Sequence, residues 1–178
     1  MGELIILMGP TGSGKSTQGE LLAQKLHGVH LSSGHLLREH PSTKHLMESG
    51  KLVEADLVEQ VVGDVIDTIA QSQPIVLDGF PRTQSNVHWI DTELIKHGRS
   101  LRQVILLEVD KKVILERLRQ RQRSDDDPAA VERKWAAYDR WTTPVVEHYR
   151  DLDHLREVDG AGSPDEVQSR IWEVVQAA

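Results

Sequence analysis

A glycine-rich segment close to the amino terminus constrains the fold of this chain more than any other feature. The apolar run from Leu4 to Met8 leads directly into Gly-Pro-Thr-Gly-Ser-Gly-Lys-Ser-Thr at residues 9–17. That segment fits the pattern G-x-x-x-x-G-K-[ST], which binds phosphate where it joins a strand to a helix. Because a short, continuously apolar run is typical of a strand buried on both faces of a parallel sheet, the sequence predicts an α/β fold.

Each residue type in this segment has a physical reason to hold phosphate. Its glycines allow backbone N–H groups to approach phosphate oxygens, and the amino end of the following helix adds a positive dipole end. A lysine supplies a full positive charge, and a hydroxyl from Ser16 or Thr17 can reach Mg²⁺ or its water shell. We therefore predict a phosphate site formed by Gly12, Ser13, Gly14, Lys15, Ser16 and Thr17.

The rest of the chain alternates apolar runs with helical patterns, which favours a five-stranded parallel sheet flanked by helices. The further predicted strands are Val29–Leu31, Ile75–Leu77, Val104–Val109 and Leu155–Val158. The predicted helices are Lys15–Leu26, Asp56–Ile69, Ser85–His97, Lys111 to about Arg121, and Pro128–Tyr149 with a kink at Pro144. Two polar segments interrupt the alternation and are predicted as loops or small lids, namely Ser33–Lys51 and Arg119–Pro128.

Composition excludes several classes of protein. The 178 residues predict one compact domain, and the absence of cysteine excludes a disulfide framework, a cysteine nucleophile and a zinc ribbon. A net charge of −7 has the wrong sign for a protein that coats nucleic acid or an anionic membrane. No apolar run is long enough to cross a bilayer, and no signal peptide is recognisable, so we expect a cytoplasmic protein.

Two further groups of charged residues belong with the phosphate loop. Asp78 follows the predicted strand Ile75–Leu77 and so lies at the carboxyl edge of the sheet, where α/β proteins bind ligands. We predict that Asp78 serves Mg²⁺ and that Arg82 binds phosphate. Downstream, Arg117 and Arg121 share one side of a helix, and the acidic run at residues 125–127 is expected to hold arginines in place.

In their order along the chain, these motifs resemble those of nucleoside monophosphate kinases of the adenylate kinase family. The resemblance rests on the phosphate loop, Leu31-Ser32-Ser33-Gly34-His35-Leu36-Leu37-Arg38, Gly50-Lys51-Leu52-Val53, Asp78-Gly79-Phe80-Pro81-Arg82-Thr83, and an arginine-rich segment before Tyr138, Thr143, Pro144 and Tyr149. It implies a P-loop kinase fold over residues 1–178. A short insertion that binds the nucleoside monophosphate would span residues 33–54, and a short lid residues 119–128.

The resemblance implies that the chain converts ATP and AMP into two ADP with Mg²⁺, as a monomer. The ATP side would comprise residues 12–17 with Arg117 and Arg121. The monophosphate side would comprise Ser33, Arg38, Lys51, Leu52, Val53, Gly79, Phe80, Pro81, Arg82, Asn86, Arg123 and Lys134. Lys15, Asp78, Arg82, Arg121 and Arg123 would be catalytic. Because the acceptor is itself an ionised phosphate, charge clamping and closure suffice and no general base is needed.

The sequence departs from the family pattern at several positions. Ser16 replaces the usual glycine, His35 the usual aspartate, and Lys134 a phosphate-gripping arginine that a lysine matches in charge but not in planar geometry. The insertion and the lid are also short. At Asn86, adenylate kinases have glutamine whereas UMP/CMP kinases have asparagine; Ser33, in contrast, is typical of the adenine-selective side, so these two positions point to different bases.

Three alternatives remain open from the sequence. A UMP/CMP kinase would follow from Asn86. A small-metabolite kinase of the gluconate or shikimate type shares the phosphate loop, but its hydroxyl acceptor would need Asp78 as a base or orienting group. A nucleotide-binding module without turnover is suggested by Lys134, His35 and the short lids.

Overall fold

A computed structural model describes residues 2–48, 53–121 and 126–177. Five parallel strands in these ranges form one sheet in the order β2-β3-β1-β4-β5, which confirms the predicted fold class. The strands are β1 Glu3–Met8, β2 Val29–Ser32, β3 Ile75–Asp78, β4 Ser100–Glu108 and β5 Leu155–Asp159. No helix within the described ranges has the length and apolar character required to traverse a membrane.

Helices connect the strands and cover both faces of the sheet. They are α1 Lys15–Lys25, α2 Ser33–Glu39, α3 Lys44–Glu48, α4 Ala55–Ile66, α5 Gln84–Lys96, α6 Lys111–Arg121, α7 Pro128–Ala137, α8 Thr143–Asp151 and α9 Pro164–Gln176. A π-helical turn over Tyr138–Thr142 joins α7 to α8. The predicted long helix is therefore interrupted at this turn, before Pro144, which lies in the first turn of α8 where no N–H donor is required.

The segment Ser33–Lys51, predicted as a loop or small lid, instead contains α2 and α3 within its described part. The Ser32 hydroxyl caps α2 by accepting the backbone N–H of His35. Leu37 is buried in the core, and the buried Thr43 hydroxyl donates to the Leu37 carbonyl at 2.5 Å. Helix α2 depends on a cap and one buried anchor, and α3 directly follows the buried Thr43, so neither has the long apolar stripe that sequence reasoning requires.

Strand β1 separates two apolar cores. Leu4, Ile6 and Met8 face the core formed with α4, α5 and α8, whereas Ile5 and Leu7 face the core formed with α1 and α9. Burial on both faces explains why the run is apolar throughout. Strand β4 begins at Ser100, four residues before its predicted start, because Ser100 and Leu101 pair with Glu3 and Leu4 at the amino end of β1.

Candidate active site

The phosphate loop lies between the carboxyl end of β1 and the amino end of α1, as its sequence predicts. Gly12 has a φ of 88°, and a Cβ there would lie 2.7 Å from a methyl carbon of Ile114 and 2.9 Å from Leu118. Only glycine satisfies both the backbone conformation and the space available. Helix α6 therefore packs directly against the loop. The arginine-rich segment begins on this helix and so starts beside the phosphate loop.

Lys15 lies inside the loop that it follows. Its Nζ donates to the carbonyl oxygens of Gly9 at 2.7 Å and Pro10 at 2.8 Å. Burial lowers the pKa of Lys15 to about 8, and the charges of Arg82 and Arg121 add to this effect, while Asp78 opposes it. Three positive side chains therefore act together near one carboxylate, and an anion placed beside Lys15 would favour its protonated form.

Asp78 ends β3 at the carboxyl edge, beside Leu7 of β1 and Ser32 of β2. Its side chain is buried and accepts hydrogen bonds from the Ser32 hydroxyl at 3.3 Å and from the Ser16 hydroxyl. Although burial alone would raise the pKa of Asp78, hydrogen bonds and the charge of Lys15 lower it. Asp78 is therefore an ionised carboxylate next to Ser16, while Thr17 is exposed.

His30 is a site residue that sequence reasoning missed. Its Nε2 lies 2.7 Å from Asp78 Oδ2, and this hydrogen bond is a main cause of the lowered Asp78 pKa. Gly19 of α1 makes room for the imidazole, because a Cβ there would overlap the His30 ring. The available signal was a polar residue between Val29 and Leu31 in an otherwise apolar strand.

The segment after Asp78 brings the acceptor-side candidates together. Gly79 has a φ of 75°, and a Cβ there would lie 2.6 Å from the Ser33 hydroxyl oxygen. Helix α2 therefore packs so close to this segment that only glycine fits at position 79. Phe80 and Pro81 are buried behind it and are joined by a cis peptide bond. Arg82 extends toward solvent, and its Nε donates to the Gly79 carbonyl at 2.6 Å.

Arg38 and Asn86 lie on either side of this segment. Arg38 is close enough to Arg82 for the two positive charges to act on one another, which favours an anion between them. Asn86 is 3% exposed; its Oδ1 accepts the Arg82 backbone N–H at 3.2 Å, and its Nδ2 donates to Glu59 of α4 at 2.7 Å. Glu59 was not identified from the sequence, because an isolated glutamate in a helix carries no motif.

The predicted pairing of arginines with the acidic run is confirmed for one pair. Asp126, whose side chain is 3% exposed, accepts two hydrogen bonds from Arg121 at 2.7 and 2.5 Å. Lys134 Nζ lies 3.9 Å from the same carboxylate. Arg121 is thus held at one end by Asp126 while its charge still acts on Lys15.

Arg117 connects the phosphate loop to the segment that follows β5. Its guanidinium donates to the carbonyls of Ser13 at 3.2 Å, Gly160 at 2.9 Å and Gly162 at 3.2 Å. It therefore lies beside the phosphate loop, with several of its donors used by backbone carbonyls. Val53 is half-buried against the core. Lys51, Leu52 and Arg123 fall outside the described residues.

The sequence was also compared with known proteins. The sequence model of the family described as adenylate kinase matches residues 7–154. An adenylate kinase from Thermus thermophilus is 35% identical over 183 residues, covering 96% of each chain. One from Deinococcus radiodurans is 35% identical, over 95% of this chain and 94% of its own, and one from Stenotrophomonas maltophilia is 32% identical, over 97% and 99%.

Proposed function

The chain belongs to the adenylate kinase family, and on that premise we propose that it transfers the terminal phosphoryl group of ATP to AMP, forming two ADP. One observation carries the proposal: the charges of Arg82, Arg121 and the Asp78 carboxylate all act on Lys15 at the carboxyl edge of the sheet. Clustered cations of this kind are suited to the charge that spreads over a phosphoryl group during transfer.

The chemistry requires positioning more than proton transfer. The bond between the terminal phosphorus and its bridging oxygen in ATP breaks, and a bond forms from that phosphorus to an AMP phosphate oxygen. The acceptor oxygen is already ionised near neutral pH, because the second pKa of a phosphate monoester is about 6. No side chain is then needed as a base, and Asp78 is poorly suited to that role because three donors engage it.

We assign the two substrates to the two sides of this edge. Residues 12–17 with Arg117 and Arg121 would bind ATP, since the loop and the amino end of α1 present N–H groups to phosphate. The AMP side would consist of Ser33, Arg38, Lys51, Leu52, Val53, Gly79, Phe80, Pro81, Arg82, Asn86, Arg123 and Lys134. Short lids over residues 33–54 and 119–128 would close on the substrates and exclude water, a competing acceptor.

The residues fit Mg²⁺ as the ion that accompanies ATP. Ser16 and Asp78 supply a hydroxyl and an ionised carboxylate within hydrogen-bond reach of each other, and hard oxygen donors are what Mg²⁺ prefers. When bound, the ion neutralises phosphate charge and orients the phosphates. The role of the chain is to keep this carboxylate ionised, which the His30 hydrogen bond and the Lys15 charge both favour.

The comparisons favour AMP over the alternative acceptors, because the relatives named above are adenylate kinases. A hydroxyl acceptor is disfavoured because it would need a base, and Asp78 is poorly suited to that role. A module without turnover is disfavoured because it would have no need for Arg82 and Arg121 around a transferring group. A monomeric state, a cytoplasmic location and the lack of nucleic-acid or membrane partners stay predictions.

The proposal is tested by product formation. Purified protein with ATP and Mg²⁺ is given AMP, CMP, UMP, dCMP or GMP, and diphosphates are quantified by chromatography. We expect ADP from AMP, and a loss of about 100-fold or more in kcat/KM for Lys15→Ala and for Arg82→Ala. Arg156→Ala, an exposed arginine on β5, is the matched control. Near-normal turnover in both site variants, or ATP binding with no product from any acceptor, would contradict the proposal.

A further inference from the structure

Glu59 of α4 is joined to the acceptor side of the site through Asn86. The Asn86 Nδ2 donates to Glu59 Oε1 at 2.7 Å, although the two residues are 27 positions apart. Asn86 also holds the backbone of Arg82. Glu59 is half-buried while Val58 and Val62 of the same helix are in the core. The Glu59 carboxylate of α4 is therefore linked through Asn86 to the segment that contains Gly79 and Arg82.

The orientation of the Asn86 amide is determined by its two partners. The Arg82 N–H needs an acceptor, so the amide oxygen faces Arg82. The amide nitrogen then faces the Glu59 carboxylate, which can only accept. The reversed amide would set N–H against N–H on one side and oxygen against carboxylate on the other, so the network allows one orientation.

This pair retains hydrogen-bonding capacity on both members. The Asn86 amide has a second N–H beyond the one given to Glu59, and a carboxylate offers about four lone-pair positions, of which Asn86 uses one. A donor and an acceptor therefore stand side by side. Adenine presents the complementary edge, because its N1 accepts and its exocyclic amino group donates, and cytosine does the same with N3 and its amino group.

Bases with an oxo group present the opposite edge. Hypoxanthine and guanine have a carbonyl oxygen next to a ring N–H, and uracil has the same arrangement, so an oxygen would face the Glu59 carboxylate. Repulsion and an unmatched acceptor both disfavour that contact. A site that hydrogen-bonds a substrate group discriminates strongly against analogues that lack it.

We propose that Glu59, together with Asn86, makes the acceptor site selective for nucleoside monophosphates whose base carries an amino group beside an accepting ring nitrogen. The inference rests on the proposed function and narrows its substrate class to AMP and CMP, against IMP, GMP and UMP. It assigns base recognition to an acidic residue of α4 as well as to the amide at the start of α5. The opposing indications of Ser33 and Asn86 are then reconciled, since an asparagine paired with a glutamate presents an adenine-compatible edge.

The test compares AMP with IMP, which differ only at the edge in question. Dissociation constants for both are measured by equilibrium dialysis on the wild type, Glu59→Gln and Asp64→Asn, an exposed carboxylate on the same helix. We expect the wild type to bind AMP roughly 10- to 100-fold more tightly than IMP. Glu59→Gln, which has one oxygen for two donors, should lower that ratio by about tenfold, and Asp64→Asn should leave it unchanged.

A purely structural role of Glu59 predicts a different result. If Glu59→Gln weakens AMP and IMP equally, or if the wild type does not discriminate, the inference is wrong; Glu59→Ala repeats the comparison if the glutamine variant is unstable. Turnover on the same samples separates the two proposals. Selective AMP binding without ADP formation would overturn the proposed function and support this inference. ADP formation with equal AMP and IMP binding would support the proposed function and overturn this inference.

Discussion

The chemistry of Lys15 is set by its surroundings more than by its own side chain. Burial removes hydration from the ammonium group and is the main cause of its lowered pKa, the charge of Asp78 acts in the opposite direction, and the charges of Arg82 and Arg121 add to the lowering. The result is a pKa of about 8 where an exposed lysine has a value above 10. Phosphate oxygens placed beside this group would reverse the balance, because a nearby negative charge favours the protonated form.

We therefore predict that ATP binding takes up protons. The pKa of Lys15 rises from about 8 on binding, so at pH near 8 up to about half a proton is taken up per ATP, and ATP affinity falls as the pH rises above 8. Calorimetry in two buffers with different ionisation enthalpies measures this uptake. Lys15→Arg, which stays charged, should abolish it, and Lys112→Ala on the exposed side of α6 should not. Equal heats in both buffers for the wild type would contradict the prediction.

At the scale of an element, the end of α4 depends on one arginine from a distant part of the chain. Arg99, which is 8% exposed, donates to the carbonyls of Ile69 at 3.2 Å, Ala70 at 2.8 Å and Gln73 at 2.6 Å. These carbonyls belong to the turns between α4 and β3. Carbonyls at helix ends and turns need hydrogen-bond donors when they are buried. Here a single guanidinium donates to three such carbonyls.

Replacing this arginine should destabilise the fold without touching the site. Arg99→Met keeps much of the apolar length but leaves three carbonyls without a donor, so we expect the free energy of unfolding to fall by about 2 to 3 kcal/mol. Urea denaturation measures the change. Arg119→Met, an exposed arginine on α6, is the control and should change stability by less than about 0.5 kcal/mol. An equal effect of both substitutions would mean that the Arg99 contacts contribute nothing specific.

In the whole molecule, the two edges of the sheet have separate tasks. The carboxyl edge carries Lys15 and Asp78, where strands end and loops can reach a ligand. The amino edge carries Gly2 and the Arg99 contacts that close the turns before β3. Apolar cores on both faces separate the edges, so a change at one edge need not alter contacts at the other.

This separation predicts additive effects on thermal stability. A non-hydrolysable ATP analogue with Mg²⁺ at about 100 times its dissociation constant should stabilise the fold by about 2.7 kcal/mol. For a chain of this size that is a rise in Tm of roughly 5 to 10 °C. Arg99→Met should lower the starting Tm but keep the same rise, whereas Lys15→Ala, which also removes a donor from the Gly9 and Pro10 carbonyls, should lose most of the rise whatever its starting Tm. Scanning calorimetry checks both, and a rise that disappears in Arg99→Met would show that the edges are coupled.

Local sequence determined the elements whose chemistry is contiguous. The apolar run before residues 9–17 fixes a buried strand, and only glycine permits the backbone of the loop at Gly12, so the strand, loop and helix could be predicted together. Asp78 and Arg82 were found for the same reason, because they follow a short apolar strand directly. The order of motifs was also enough to indicate the family.

Only the tertiary structure decided which distant residues act together. His30 reaches Asp78 because β2 and β3 are neighbours, Glu59 reaches Asn86 because α4 packs beside α5, and Arg99 reaches the turns before β3 because β4 begins at the same edge. Helix α2 likewise depends on one buried anchor and a cap. A hydrogen bond between residues far apart in sequence leaves no periodic pattern, so its partners become visible only when the chain is folded.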